Sequence, residues 1–236
     1  LRELGQGQSI VHIYKSDMEE IKLHLPPPPE QNRIVSVLET WDKSIENLNK
    51  KIKIKKQIKK GLMQDLLTGK KRLAGFKDKW ESLEFNDLFE TLKKIQGLKN
   101  EEYKDYGIYP IIDQAKDKLI SGYTDKKEYS HDFSKNSVVV FGDHSRVIKY
   151  INTIVALGND GTKVFQAKDN LNIKFGYYLL LNFKIPETGY NRHFKYLEVG
   201  IFNIPSIKEQ NAVADILTTA DKEITELENK LSIIKE

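Results

Sequence analysis

Apolar residues recur along two stretches of the chain at the alternating steps of four and three that are typical of a coiled-coil helix. The first stretch carries them at Ile34, Leu38, Trp41, Ile45, Leu48 and Ile52. The second stretch carries them at Val213, Leu217, Ala220, Ile224, Leu227, Leu231 and Ile234. The pattern predicts one long helix over residues 30–67 and another that begins near residue 209. We expect these helices to pack on each other or on copies in a second chain.

The apolar seam of the first helix changes after Ile52. A continued heptad would direct Lys55 and Lys59 into the helix contact. The apolar residues that follow are instead Ile54, Ile58, Leu62 and Leu66. A strict heptad does not allow this drift, so we predict that the partner helix leaves or changes after Ile52.

The two helix starts belong to an internal repeat, in which residues 26–52 match residues 205–231 at an offset of 179 positions. The repeat aligns Glu30 and Gln31 with Glu209 and Gln210. The first copy opens with four prolines at 26–29, which hold the backbone extended. The prolines are either a stiff entry to the helix or a ligand for a module that binds polyproline.

The region between the helices has the pattern of an α+β domain with a mixed sheet. Strands are predicted at 106–113 and 136–143, then one strand or a pair at 146–157, and a hairpin turn with a strand at 158–167. Helical spacing covers 173–183, a short helix runs from Asn86 to Leu92, and 189–197 is a loop. A short strand is predicted at 21–25.

Composition narrows the class of protein. The 236 residues include no cysteine, which excludes disulfides, thiolate metal sites and a cysteine nucleophile, and fits a cytoplasmic protein. The longest apolar run is too short for a membrane helix. Residues 50–72 hold ten Lys and Arg against Asp65, a net charge of +9 that leaves −5 for the rest of the chain. This basic stripe is either a polyanion contact or a solvated helix face.

The sequence lacks the motifs of common enzymes. The five histidines form no HxxxH or HxH pair, no P-loop or GxGxxG is present, and 25–30 is not the loop of an adenine methyltransferase. Asp125 and Glu128 with the lysines between them have the residue types of a metal nuclease, but no partner acid accompanies them. We therefore expect no catalytic residue, no metal site and no cofactor in this chain.

Three Gly-led loops rich in basic and aromatic residues, at 141–150, 158–163 and 188–196, have the chemistry of DNA readers. Arginine can bind guanine through two hydrogen bonds, asparagine can do so with adenine, and lysine contacts phosphates, while tyrosine can stack on a base. The alternative is that these are solvent-facing turns with aromatic lids on the core. The candidate DNA-binding residues are Lys116, Tyr123, His144, Arg146, Lys149, Lys163, Tyr190, Asn191, Arg192 and Lys195.

These segments together resemble the specificity subunit of type I restriction–modification enzymes. The resemblance covers nearly the whole chain and rests on the repeated PPPPEQNRIVSVL and IPSIKEQNAVADIL, on KKGLMQDLLTGKKRL, and on domain segments such as VVVFGDHSRVIKY, LGNDGTKVF and GYNRHFKYL. It implies a mixed-sheet domain that recognises double-stranded DNA, flanked by long helices in an antiparallel coiled coil. Residues 1–25 would end an upstream recognition domain, 26–70 form the central helix, 71–204 the recognition domain, and 205–236 the C-terminal helix.

The resemblance also implies a function. Such a subunit reads half of a split DNA site and docks adenine methyltransferase and motor-nuclease subunits, which use S-adenosylmethionine, ATP and Mg²⁺. The chain would be a fragment or a half-length subunit that pairs with a second copy. The Lys-rich end of the first helix would leave the coiled coil and approach DNA or the methyltransferase. The alternative function is a coiled-coil assembly module whose globular domain binds protein.

Overall fold

The computed structural model describes residues 14–19, 21–92, 96–159, 161–189 and 191–235. It divides into two compact units. The first unit is made of Leu1–Lys50 and Lys230–Glu236, and the second is Lys51–Asn229.

The first unit contains α1 (Lys15–Glu19) and the beginning of α2 (Pro28–Leu66). The amides of Glu30 and Gln31 both donate to the carbonyl of Pro27, so the proline run leads directly into the helix. The strand predicted at 21–25 is wrong, because residues 21–27 form no regular element. On α2 of this unit, Ile34, Leu38 and Trp41 are exposed, whereas Ile45 and Leu48 are half-buried. In the C-terminal part of the unit, Leu231 is half-buried as well.

The second unit holds a globular domain of strands and short helices together with parts of the two long helices. Its described helices after α2 are α3 (Phe85–Leu88), α4 (Ile173–Asn182), α5 (Phe194–Glu198) and α6 (Ile207–Lys235), of which the last continues beyond the unit. Its described strands are β1 (Glu81–Glu84), β2 (Phe89–Thr91), β3 (Tyr109–Ile112), β4 (Gly122–Thr124), β5 (Ser130–Asp132), β6 (Val138–Gly142), β7 (Ile148–Ile151), β8 (Ile154–Leu157), β9 (Thr162–Ala167) and β10 (Ile201–Ile204). Short 3₁₀ turns lie at Asn100–Glu102 and Lys127–Tyr129.

Within the described residues, the strands form two four-stranded sheets and one pair. The first sheet has the order β2-β9-β6-β7, the second has the order β4-β3-β8-β5, and β1 pairs with β10. The pair β3 and β8 is parallel and the other named pairs are antiparallel. The expected mixed-sheet α+β class is therefore confirmed.

The buried strand β6 shows how the layers stack. Because successive strand residues point to opposite faces, Val139 and Phe141 pack into a core formed with α3, α4 and α6. Val138 and Val140 pack instead with residues of the second sheet, including Ile112 and Val155. The first sheet is thus covered by helices on one face and by the second sheet on the other, which explains why every residue of β6 is buried.

Three local predictions are corrected by tertiary pairing. The helix predicted through Leu92 ends at Leu88, because 89–91 become β2 and pair with β9. The turn at 158–161 is not a hairpin, because β8 pairs with β3 and β5 whereas β9 belongs to the other sheet. The loop predicted over 189–197 includes the helix α5. The segment 146–157 forms the predicted pair of strands.

Within the second unit, α2 and α6 run antiparallel. Lys55 pairs with Glu223 at 2.5 Å, Lys59 with Asp221 at 2.5 Å, and Lys56 with Glu228 at 2.6 Å. Lys59, which follows Lys55 and Lys56 on α2, meets an earlier position of α6 than either of them does. On α6, Val213, Leu217 and Ile224 are buried, and Ala220 and Leu227 are half-buried.

The heptad seam continues past Ile52, so the predicted departure of the partner helix is wrong. Ile52 and Leu66 are buried, whereas Ile54 and Ile58 are exposed. Lys55 and Lys59 occupy the contact positions between them, because carboxylates on the facing helix receive their ammonium groups. Long lysine side chains can cover apolar surface while their charged ends reach a partner at the edge.

The two glutamines of the repeat make the same hydrogen bond at the start of their helices. The side chain of Gln31 donates to the carbonyl of Pro26 at 2.7 Å, and that of Gln210 donates to the carbonyl of Pro205 at 2.9 Å. Gln210 makes two further hydrogen bonds to the α4 entry, to the carbonyl of Asn170 at 3.0 Å and from the amide of Asn172 at 2.8 Å. The second copy therefore fixes its helix to the domain.

A second attachment lies one residue earlier, at Glu209, whose carboxylate is buried. It receives the Arg72 guanidinium through two hydrogen bonds of 2.6 and 2.7 Å, a geometry typical of strong arginine–carboxylate pairs. The hydrogen bond from Arg72 holds the guanidinium charged and raises the pKa of Arg72. The segment after α2 and the start of α6 are thus joined.

Candidate nucleic-acid interface

Four connecting segments of the second unit meet at one end of the two sheets, and we call them the loop cluster. They are residues 113–121 between β3 and β4, 143–147 between β6 and β7, 158–161 between β8 and β9, and 183–193 between α4 and α5. Residues 160 and 190 of these segments lie outside the described residues. The cluster contains parts of all three Gly-led loops that the sequence indicated.

Asp143 is the centre of the loop cluster. Its amide donates to the carbonyl of Gly161 at 2.7 Å, and its carbonyl accepts from both the amide and the Nδ1 of His193, each at 2.9 Å. Its carboxylate accepts from the amide of Phe194 at 2.7 Å. Both Asp143 and His193 are buried. Because a carbonyl only accepts, the His193 ring carries its proton on Nδ1.

The turns beside Asp143 approach each other closely. The amide of His144 donates to Oε1 of Gln114 at 3.3 Å, which joins the 113–121 segment to the β6–β7 turn. Gly161 has a φ of +60°, and a Cβ there would lie 2.7 Å from Cδ2 of His144. A larger residue would be strained in conformation and would collide with the ring.

Arg146 has φ 63° in the tight β6–β7 turn, where its amide donates to the carbonyl of Gly142 at 2.7 Å. Its guanidinium is half-buried and pairs with Glu187 at 2.6 Å. A second nitrogen lies 3.5 Å from the carbonyl of Ile185. Arg146, a candidate DNA-binding residue, therefore binds the 183–193 segment of its own domain.

Lys149 is buried inside the domain and does not lie on the surface, where we expected it to contact DNA. Its ammonium donates to the carbonyl of Leu119 at 3.2 Å and lies 4.0 Å from Asp113. Burial lowers the pKa of Lys149, and the nearby Asp113 opposes that effect. Asp113 also accepts from Ser121 and from the amide of Ala115. Lys149 is thus a support of the 113–121 segment.

The remaining candidate DNA-binding residues differ in how exposed their side chains are. Lys116, Asn191, Arg192 and Lys195 are exposed, and His144, Lys163 and Tyr123 are half-buried. The Asn191 amide donates to the carbonyl of Thr188 and so holds its own turn. Lys163 lies over the ring of Phe194 and Lys195 over that of Tyr196. Tyr123 is on β4, beyond the 113–121 segment, and Tyr190 lies outside the described residues.

The sequence did not single out Asp143, Gln114 or Glu209 for the site or its supports. The sequence did contain a signal for Asp143, since this residue directly follows a fully apolar run and begins the next turn. Glu209 had one as well, in the repeated Glu-Gln pair. Gln114 had none, because its role depends on the approach of two turns that are distant in sequence.

Most of the basic stripe is neutralised within its own unit. Lys55, Lys56, Lys59 and Arg72 pair with carboxylates of α6, and Lys71 pairs with Asp65 at 2.9 Å. In the first unit, Lys50 pairs with Glu46. Among the described residues of α2, Lys51, Lys53 and Lys60 are exposed and form no ion pair. The charge run therefore serves helix pairing in large part.

Across the described ranges, no group of three or more His, Asp or Glu side chains is arranged to hold a metal ion. In the same residues, no helix is long and apolar enough to cross a membrane.

Comparison with known proteins gives concordant matches. The family model described as type I restriction modification DNA specificity domain matches residues 1–59 and 77–236. The MjaVIII type I restriction enzyme specificity subunit of Methanocaldococcus jannaschii is 38% identical over 68 residues, which are 29% of this chain and 16% of that protein.

Two solved structures share the fold. The S subunit of a type I restriction-modification system from M. genitalium has a TM-score of 0.68 at 17% identity, over 99% of this chain and 65% of that one. A chain from a structure of type I R-M complex assembly and conformational transition has a TM-score of 0.56 at 16% identity, over 97% and 62%. The matched region thus spans less than two thirds of each relative.

Proposed function

The chain belongs to the type I restriction–modification DNA specificity family, and from this premise we propose that it reads one half of a bipartite DNA sequence. The observation that carries the proposal is the loop cluster, in which four segments from different strands and helices converge around Asp143 and His144. Such segments are well suited to recognition, because a rigid scaffold positions them while their sequence is free to vary.

Arg192 is the strongest base-reading candidate in the cluster. It is exposed, forms no ion pair among the described residues, and immediately precedes the buried His193. An arginine at such a place can donate two hydrogen bonds to guanine in the major groove. Lys116 of the 113–121 segment and Lys195 of α5 are also exposed and have the charge to contact phosphates.

We further propose that the chain acts within a larger enzyme. Adenine methyltransferase subunits and motor-nuclease subunits would dock on it and supply the chemistry with S-adenosylmethionine, ATP and Mg²⁺, whereas the chain itself would supply recognition. The exposed apolar residues Ile34, Leu38 and Trp41 support docking, because an exposed apolar stripe on a helix favours a protein partner. A second copy of the chain is a further candidate for that partner.

Selection from a randomised duplex pool tests recognition directly, since it requires no partner subunit. We expect the wild-type chain to enrich one motif and to bind it with a steep dependence on salt, because phosphate contacts release counterions. A chain that enriches no motif and shows no salt dependence would contradict DNA recognition and favour the protein-binding alternative. Mapping of adenine methylation in cells with and without the chain, together with its methyltransferase, would then show whether the complete site is bipartite.

Arg192→Ala tests the proposed contact. We expect it to weaken binding to the selected motif by about 1–3 kcal/mol and to relax the preference at one base pair. Arg33→Ala is the matched control, because Arg33 is an exposed arginine on α2, outside the loop cluster. If both variants bind like the wild type, Arg192 does not read a base.

A further inference from the structure

We propose that Asp143 and His193 form a clamp whose function is to position Arg192 for base reading. This inference rests on the proposed function and extends it to residues that do not themselves contact DNA. Both members are buried, so neither can be a base contact. The clamp is defined as the hydrogen bonds that Asp143 makes with the amide and ring of His193 and with the amide of Phe194.

The clamp joins two segments that are distant in sequence. Two hydrogen bonds of 2.9 Å connect the carbonyl of Asp143 to His193, and a third of 2.7 Å connects its carboxylate to the amide of Phe194. The last of these fixes the first residue of α5 as well as the end of the 183–193 segment. Three bonds from one residue leave little freedom for the backbone that carries Arg192.

The clamp also restrains the residues that are adjacent to it in the chain. His144 follows Asp143 and Arg192 precedes His193, so each lies one Cα step, about 3.8 Å, from a clamped residue. Gly161 closes against the His144 ring, and the Glu187 ion pair of Arg146 restrains the other end of the same segment. The arginine is thereby presented from a restrained backbone, which lowers the ordering cost of binding.

The ring of His193 contributes a specific atom. Its Nδ1 donates to Asp143, while its Nε2 lies 3.4 Å from the hydroxyl of Thr188. The amide nitrogen of an asparagine can take the place of Nδ1, whereas leucine has similar bulk and no donor. His193→Asn therefore keeps the side-chain bond of the clamp and His193→Leu removes it, while the two bonds from the backbone amides of residues 193 and 194 remain in both variants.

The test measures how each variant chain binds the duplex that the wild-type chain selects from a randomised pool and a scrambled duplex, across a salt series. We expect His193→Leu to lower the preference for the selected duplex by about tenfold or more while the salt slope on the scrambled duplex stays the same, since phosphate contacts are retained. His193→Asn should restore most of the preference. If His193→Leu does not fold, Asp143→Ala replaces it, because it removes only the bond to Phe194 and should also reduce the preference.

The outcomes separate the two proposals. A wild-type chain that selects no duplex overturns the proposed function, and the clamp's role with it. If the wild type selects a motif and Arg192→Ala loses the preference but His193→Leu retains it, only the clamp is overturned. The clamp is equally overturned if His193→Asn behaves like His193→Leu, because the donor at Nδ1 would then be irrelevant.

Discussion

The internal repeat allows a quantitative test of how α6 is attached to the domain. Gln210 and Gln31 occupy matching positions and both donate to a carbonyl five residues earlier. Gln210 is almost fully buried and makes three hydrogen bonds in all, whereas Gln31 is half-buried and makes one that the structure shows. Alanine at each position therefore changes the same residue type in two environments.

The expected magnitude follows from those contacts. A hydrogen bond contributes about 1 kcal/mol net, and partners left unsatisfied in the interior add to the loss. We expect Gln210→Ala to lower the free energy of unfolding of the second unit by about 3–4 kcal/mol, and Gln31→Ala to lower it by less than about 1 kcal/mol. With a urea slope of about 2 kcal/mol per molar, the difference between the two variants corresponds to a midpoint shift of about 1–2 M.

Urea denaturation of the whole chain measures this difference. Trp80 lies in the second unit, and a Trp41→Phe background makes it the only tryptophan, so its fluorescence reports on that unit. Both glutamine variants would be compared in that background. A loss below about 1 kcal/mol for Gln210→Ala, or equal losses for the two variants, would refute the assigned role of Gln210.

Three further predictions concern the core, a partly buried tyrosine and the helix pair. Leu217→Ala should lower the free energy of unfolding by about 3–5 kcal/mol, because Leu217 is fully buried. Leu38 occupies the matching position of the first repeat copy but is exposed, so Leu38→Ala should change the free energy of unfolding by less than about 0.5 kcal/mol. Similar losses for the two variants in urea denaturation would contradict this. Burial raises the pKa of Tyr177 to about 12. The contribution of this shift to the free energy of unfolding is therefore fully present below pH 10 and is lost as the pH rises towards 12. Tyr177→Phe should remove this loss of stability between pH 10 and 12. Phenolate absorbance that shows Tyr177 ionising near pH 10 would disprove this. A double-mutant cycle on Lys55 and Glu223 should give a coupling of about 0.2–1 kcal/mol that falls with salt, and a coupling unaffected by salt would argue against the ion pair.

The sequence alone determined the long helices, because their heptad spacing is a local and strongly periodic signal. It also indicated five of the ten described strands, which are β3, β6, β7, β8 and β9, since the run at 138–142 is apolar at every position and 148–157 alternates loosely. The repeated Glu-Gln pair identified both helix starts and carried the resemblance to the family. These features depend on residues close together in the chain.

The tertiary structure decided the features that depend on residues far apart. Lys55 and Lys59 could stay in the helix seam only because Glu223 and Asp221 face them, so the local rule that excludes lysine from such positions failed. Residues 89–91 became a strand only because β9 offers its backbone hydrogen bonds. Lys149 had the residue type of a phosphate contact, yet packing placed it under the 113–121 segment.

The candidate interface shows the same division. Residue types and glycines located the loops in the sequence, because flexible turns with basic and aromatic residues are recognisable locally. Asn191 bonds to Thr188 within its own turn, three residues away. The convergence of the loops around Asp143 and the engagement of Arg146 follow instead from hydrogen bonds across 50 and 41 residues of chain. Such bonds leave no periodic trace in the sequence, so only the folded structure separates side chains that support the loops from Arg192, which they present.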